Sequence, residues 1–528
     1  MNNRVHPTCK GRLSGFATML VMGVAVWPTS AQEVEPLDLG AVALIRDEAM
    51  ERSRVMEIAW HLTELHGPRL PGSPNHRAAA EYARGVMTDW GLSNARLEPW
   101  GPFGSGWSNE RFYAHAVSPQ AYPLIGYPFA WTPGTDGWVT GEAMIVHIES
   151  DEDFDRYRGT LKGKFVLTEP PRDVKPRFEW PQSARRFPDE ELARVEEGYI
   201  WWEDLWAEYE YFDARRLLRP QLIEFFLQEG IVAWLVYGAG DGGRVDILCC
   251  SPRRPGKPTI VGLIPEHYGR IYRTLERGYP VALEMNIQNR VHTEDINSYN
   301  VLAEIPGSDK AQETVMLGAH LDSWHAGTGA IDNAAGVAVV MEAARILMAV
   351  GLEMRRTVRV ALWGVEEHPY PDGAFSYVRQ HLADLVGDSV ILKPTHADLS
   401  VYFNLDTGTG RIRGVYLQGN DRVAPIFERW MEPFHDLGMT VLSPRSVEGS
   451  DHFTFDWSGI PAFLFIQDPV ADWAAHSNMD TYDRLIEADL KQAAAIMASF
   501  VYHAANREEK FPRKPLPGSD AEGQGMGR

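Results

Sequence analysis

Apolar residues recur at helical spacing from Val55 through Ile58, Leu62 and Leu65, and Gly67-Pro68 ends the run. A second helix is predicted from Ser73-Pro74, a capping hydroxyl followed by proline at the first helical position, to just before Gly91. The turn cluster Gly67 to Asn75 separates the two. From about residue 106 to 292 the pattern shortens into β-rich runs separated by Gly and Pro clusters. These runs are Ala143 to His147, Phe165 to Thr168, Ile231 to Tyr237, Thr259 to Ile264 and Val281 to Ile287, and they predict a largely β inserted region. From Asn297 strands and helices alternate. Strands are predicted to Ala319 and over Val358 to Trp363, Ser400 to Leu405 and Ala462 to Ile466, with helices from Ala334 and from Glu487 to Ala504. This rhythm predicts an α/β sheet, whose ligands lie beyond the carboxyl ends of its strands.

The stretch from Thr314 to Met348 concentrates the chemistry. Thr314 to Ala319 is a short apolar run, the pattern of a buried strand, and it delivers His320 and Asp322 at its carboxyl end. Gly327 and Gly329 then permit backbone angles that other residues resist, and Asp332 stands before a helix of small residues. A histidine at a strand end is commonly a satisfied core residue, and an aspartate before a helix is commonly a cap. Asp322 changes the balance, because two residues on it shares the side of an extended chain with His320 and can accept the imidazole's other N–H. Glu366 and Glu367 follow the strand ending at Trp363, Asp406 follows the one ending at Leu405, and a loop after Ile466 carries His476 four positions before Asp480. Together His320, Asp332, Glu367, Asp406 and His476 would give each of two metals one imidazole and one terminal carboxylate, with Asp332 bridging. That set, without thiolate, suits two zinc ions, and leaves Glu366 to take a proton from water.

Charge and length narrow the classes. A chain of 528 residues exceeds one ordinary core. A formal charge of -21 argues against a nucleic-acid partner, which requires clustered Lys and Arg. Arg4, Lys10 and Arg12 before the apolar stretch Leu13 to Trp27, with small residues up to Ala31, read as a secretory signal peptide cut near Ala31. The expectation is a periplasmic or secreted enzyme of charge -24, not held at a membrane after cleavage, with no later segment long and apolar enough to span one. Cys9 would leave with the leader, and the adjacent Cys249 and Cys250 cannot staple distant segments. Residues 178 to 212 interleave Trp180, Trp201, Trp202, Trp206, Tyr209, Tyr211 and Phe212 with many acidic residues. They are expected to form a helical hairpin packed on the inserted region, with a lid or a homodimer contact as the alternative.

The ordered motifs carry a resemblance. HGPRLPGSPN from His66, HLDSWHAGTGAIDN at 320 to 333, LWGVEE at 362 to 367, NLDTGTG at 404 to 410, GSDHFTF at 449 to 455 and HSNMDTYD at 476 to 483 resemble the di-zinc exopeptidase family of Aeromonas-type leucyl aminopeptidase and plasma glutamate carboxypeptidase, the latter more closely. The resemblance implies a zinc-exopeptidase mixed sheet flanked by helices, with an inserted, mainly β protease-associated domain. The peptidase domain would comprise residues 32–105 and 293–510, the insert 106–292, and a flexible tail 511–528. It implies two zinc ions, one held by His320 and Asp406 and the other by Glu367 and His476, with Asp332 shared, Asp322 orienting His320 and Glu366 as general base. It also matches Asp332-Asn333 to a bond often found cis. The implied activity is hydrolysis of peptide bonds in short peptides or dipeptides through a zinc-bridging water. A free amino terminus is preferred as anchor, since no arginine pair stands near the ligands. The chain departs from its relatives at His368-Pro369-Tyr370-Pro371, where they often have glycines, and at Ala475-His476, where they often have two histidines. Two rivals share the scaffold, a glutaminyl-cyclase-like acyltransferase and a non-catalytic receptor-like protein. The full two-metal ligand set argues against both.

Overall fold

The computed structural model describes residues 35–171, 185–200, 219–238, 242–248, 250–368, 372–386 and 389–516. The leader, Cys249, Pro369 to Pro371, and most of the acidic aromatic stretch lie outside them.

Among the described residues, eight strands form the sheet that carries the motifs. Across it the order is Ser93–Trp100, Ser298–Ile305, Arg356–Trp363, Lys310–His320, Leu399–Asn404, Ala462–Gln467, Ile412–Tyr416 and Val441–Ser443. The four central strands, Arg356–Trp363 to Ala462–Gln467, run parallel, with His320 paired to Trp363 and Asn404 to both Gly318 and Leu464. Their carboxyl ends therefore lie together. The outer strands bring antiparallel pairing, so the sheet is mixed.

Parallel strands need both faces covered. One face is packed by helices Leu39–Glu51, Val55–Trp60, Pro74–Asp89, Ala335–Val350 and Glu487–Asn506, the other by Gly373–Tyr377 and His452–Trp457. The cap read at Ser73 is present, its hydroxyl accepting from His76 N at 3.1 Å. The segment Ala330–Val350 is long and apolar enough by composition to cross a membrane, but it is broken at Asp332-Asn333, where both residues leave helical angles, and 83% of its apolar window is buried against the sheet and neighbouring helices. A core helix sealed on every side needs that composition.

A second eight-stranded sheet is built wholly from residues between Gly106 and His292. Its long ribbon, Gly106–Ser118 against Ala282–His292, is antiparallel, while Val139–Ile145, Phe165–Leu167, Ala233–Tyr237 and Ile260–Leu263 run parallel. Parallel pairing requires crossovers. Helices Asp151–Tyr157 and Pro220–Glu229 pack on one face, and Pro265–Glu276 on the other. Residues 185–200 do not pack on this sheet, contrary to expectation. Phe187, Leu192, Val195 and Ile200 bury themselves against Tyr416, Val441, Val447, Leu464 and Ile466, at the edge of the first sheet. Arg186 anchors them by pairing with Asp468 at 3.0 Å and Asp489 at 2.7 Å.

His76, His368 and His452 are buried and His325 is partly buried, and His76 Nε2 has no hydrogen-bond partner among the described residues. Burial pushes His76, His325, His368 and His452 each down to about 4. Their folded pKa lies below the unfolded value of about 6.5, so the unfolded chain takes up protons the native chain refuses as the pH falls through 6.5 towards 4. Stability drops in that window, by up to about 1.4 kcal/mol per pH unit for each group. His76→Phe is expected to flatten the dependence of the urea-unfolding free energy on pH between 6.5 and 4.5. An unchanged slope would contradict the assignment.

Candidate metal centre

The parallel strands deliver their carboxyl-terminal residues to one place. His320 ends its strand, and its Nε2 lies 2.9 Å from Asp332 Oδ1 and 3.1 Å from Asp406 Oδ1. On the other side His476 Nε2 lies 2.7 Å from Asp332 Oδ2 and 3.1 Å from Glu367 Oε2. The two oxygens of Asp332 thus face two different histidines. Two groups of potential ligands result, His320–Asp332–Asp406 and Asp332–Glu367–His476, each with its atoms within 4.8 Å of one another. His320 is buried, whereas Asp332 and His476 keep side-chain exposures of 18% and 20%, so one side stays open to water.

The loop between His320 and Asp332 takes its shape from two glycines. Gly329 has φ of 66°, and a Cβ there would meet Ser323 Cβ at 2.3 Å. At Gly327 a Cβ would meet the carbonyls of Asp480 and Ser477 at 2.5 and 2.6 Å. The His476 loop closes onto the glycine loop through this gap. Asp480 then holds the bridging aspartate, accepting from Ile331 N at 2.6 Å and from Asp332 N at 3.3 Å. The Asp332-Asn333 bond is cis.

Asp322 performs two tasks. Its backbone carbonyl lies 3.2 Å and its Oδ1 3.4 Å from His320 Nδ1, leaving Nε2 for the ligand cluster. The same carboxylate accepts from Glu366 N at 2.9 Å and Glu367 N at 3.2 Å, tying the glutamate turn to the histidine strand. Asp406 is held by a chain of donors: Trp363 Nε1 to Tyr402 OH at 2.7 Å, Tyr402 OH to Asn404 Oδ1 at 2.6 Å, Asn404 Nδ2 to Ser450 Oγ at 2.7 Å, and Ser450 Oγ to Asp406 Oδ2 at 2.5 Å. Trp324 Nε1 donates to Glu367 Oε2 at 2.8 Å.

So many acids in one cleft require compensation. Arg69 supplies part of it. Fully buried, it donates to the carbonyls of Leu321, Leu62, Thr328 and Gly329 at 2.7 to 2.9 Å, pinning the glycine loop, with its charge directed towards the carboxylates. The remaining excess appears as proton sharing. Burial works against charge on His320 and His476, yet the surrounding carboxylates lift both well above the usual imidazole range. Burial and then Asp332 push Glu367 up to about 7, burial raises Glu366 well above its ordinary value, and Asp332 is driven far below its own chiefly by the two histidines. A cation on each side of Asp332 would relieve this directly, and Glu367 Oε1, buried with no hydrogen-bond partner, is a further lone oxygen for it. Imidazole and carboxylate donors without sulfur fit zinc.

The structure brings all seven residues singled out in the sequence into one cleft. Arg69, Trp324, Ser450 and Asp480 were not singled out. Arg69 left a trace as the one arginine or lysine of its turn motif, and Asp480 was named only by its spacing from His476; Trp324 and Ser450 act through contacts between residues far apart in the chain.

Parallel central strands with a carboxylate-and-imidazole cluster at their carboxyl ends define a candidate metal-dependent enzyme, and the comparisons with known proteins specify the kind. Residues 300–501 match the profile described as Peptidase family M28. Carboxypeptidase Q of Pongo abelii, the plasma glutamate carboxypeptidase, is 28% identical over 457 residues, covering 86% of this chain and 85% of its own. Among solved structures, a peptidase M28 precursor from Shewanella amazonensis SB2B shares the fold with a TM-score of 0.63, at 23% identity over 90% of this chain and 98% of that one. A zinc aminopeptidase from Bacillus subtilis, BSAP, shares it with a TM-score of 0.54, at 18% identity over 87% and 96%. The resemblance drawn from the motifs is borne out: the chain is similar to Peptidase family M28, and the protein is a zinc metallopeptidase of exopeptidase character, acting on peptides.

Removing the Asp322 carboxylate should leave two backbone N–H groups without their acceptor and His320 Nδ1 with the Asp322 carbonyl alone. Asp322→Ala is expected to weaken zinc binding about 10- to 100-fold, measured by titrating metal-free protein against a competing chelator. Unaltered affinity would show that the carboxylate is only a turn stabiliser.

Proposed function

We propose that the chain holds two zinc ions and hydrolyses dipeptides and short peptides from a free amino terminus, with Glu366 as general base. The observation that carries this reading is the placement of Asp332 between His320 and His476, with one further carboxylate on each side. Zinc bound there supplies a Lewis acid that polarises the scissile carbonyl and makes water acidic enough to attack. His320, Asp332 and Asp406 would hold one ion, and Asp332, Glu367 and His476 the other. Glu366, adjacent to a ligand but in neither cluster, takes the proton of the attacking water and returns it to the leaving amine. Burial raises its pKa well above the ordinary carboxylate value, the direction that suits a group which must both take and return a proton. Asp322 fixes the turn from which Glu366 projects.

An acidic surround favours an ammonium group as the anchor. Asp372, Asp472 and Asp480 are each raised to about 7, first by burial and then by interactions that include neighbouring carboxylates. The cations at hand are engaged: Arg69 by carbonyls, Arg244 by Asp246 at 2.6 Å. The long match to Carboxypeptidase Q favours a second reading, release of the carboxyl-terminal residue, and a dipeptide satisfies both. The strands between 106 and 292 are read as an inserted domain, and the leader pattern in residues 1–31 supports secretion or export to a periplasm.

Glu366→Gln should retain zinc and lose about 10²- to 10⁴-fold in kcat, whereas Glu367→Gln should lose zinc first. Equal metal contents in the two variants would contradict the division of roles. Cleavage of a dipeptide beside its N-acetylated and C-amidated forms decides polarity. Loss on acetylation alone is expected, while loss on amidation alone would establish the carboxypeptidase reading.

A further inference from the structure

The two ligand clusters are supported differently. Among the described residues Asp406 is supported through Trp363, Tyr402, Asn404 and Ser450, and His320 through Asp322, all residues of the first sheet and its loops. The other two terminal ligands lean on residues between 106 and 292. Trp324, the donor to Glu367, is buried among Trp107, Trp131 and Leu248. Its neighbour His325 packs edge-on to Trp107 and contacts the Pro128 carbonyl at 2.8 Å.

The dependence is stronger at His476. This residue has φ of 58°, a left-handed conformation that non-glycine residues rarely adopt and that surrounding contacts must maintain. Beside the loop's own bonds, such as Ser477 Oγ to the Ala474 carbonyl at 2.7 Å, contacts come from residues 243–247. Ile247 N donates to the His476 carbonyl at 3.4 Å, Asp246 bridges to Ser477, and Asn478 is gripped three times. Its Oδ1 accepts from Val245 N at 2.8 Å, its Nδ2 donates to the Gly243 carbonyl at 3.1 Å, and its own N donates to the Val245 carbonyl at 3.2 Å.

We propose that the inserted region is a working part of one metal site only: Asn478, clamped by residues 243–247, is a positioning residue that keeps His476 in place, so the Glu367–His476 zinc depends on the insert and the His320–Asp406 zinc does not. The proposal rests on the two-zinc reading. A chain under partial metal starvation would then lose the insert-supported ion first, leaving a one-zinc form.

The test is zinc titration of the full metal-free chain against a competing chelator, with Asn478→Ala, Ser450→Ala and the double variants Asn478→Ala/His476→Ala and Asn478→Ala/His320→Ala. Asn478→Ala should bind one zinc as the unaltered chain does and the second about 10- to 100-fold more weakly. It should add nothing once His476 is gone, and should weaken the ion that remains when His320 is gone. Ser450→Ala should give the mirror pattern. Equal weakening of both ions, no weakening, or an additive effect in the His476 background would overturn the proposal. If Asn478→Ala does not fold, Asn478→Asp, which keeps the acceptor for Val245 N and loses the donor to Gly243, carries the same test and should weaken the same ion. An unaltered chain that binds fewer than two zinc ions defeats the two-zinc reading instead, a result separable from both patterns.

Discussion

The structure depends on keeping several carboxylates and two imidazoles within a few ångströms around one aspartate. Asp332 cannot relax away from its neighbours, because Asp480 holds the backbone on its amino side and the glycine loop before it is pinned by Arg69. Like charges at this spacing repel strongly in a poorly hydrated cleft. The chain offsets them in two ways: a buried guanidinium saturated by carbonyls behind the site, and a ligand geometry that invites cations in front of it. Arg69 is an architectural charge, and zinc is the functional one.

Much of this was legible in the sequence because the ligands sit at places with local signatures. His320, Glu366, Glu367 and Asp406 follow apolar strands of the parallel sheet, and Asp332 precedes a helix of small residues. The carboxyl-end rule for α/β sheets then places them together. Strands Ser93–Trp100 and Val441–Ser443 were not read: the first is mostly half-exposed and contains Pro99, and the second is three residues long. The early helix Leu39–Glu51 was passed over as well, its apolar face being weakly marked. The support of the ligands escaped for a different reason. Ser450 reaching Asp406, and Val245 reaching Asn478, join positions separated by 44 and 233 residues, and no local pattern announces such pairs.

The docking of residues 185–200 on the first sheet follows the same logic. Composition marked the stretch as amphipathic, and an apolar face will cover whichever apolar edge is presented to it. Tyr416, Val441 and Ile466 present that edge, and the buried Asp468 offers Arg186 and Arg413 a shared partner.

Anomalous diffraction at the zinc absorption edge from crystals of the metal-loaded protein tests the central claim most directly. The account predicts two peaks, one between His320 and Asp406 and one between Glu367 and His476, with the Asp332 carboxylate between them. A single peak, or peaks that do not flank Asp332, would contradict it.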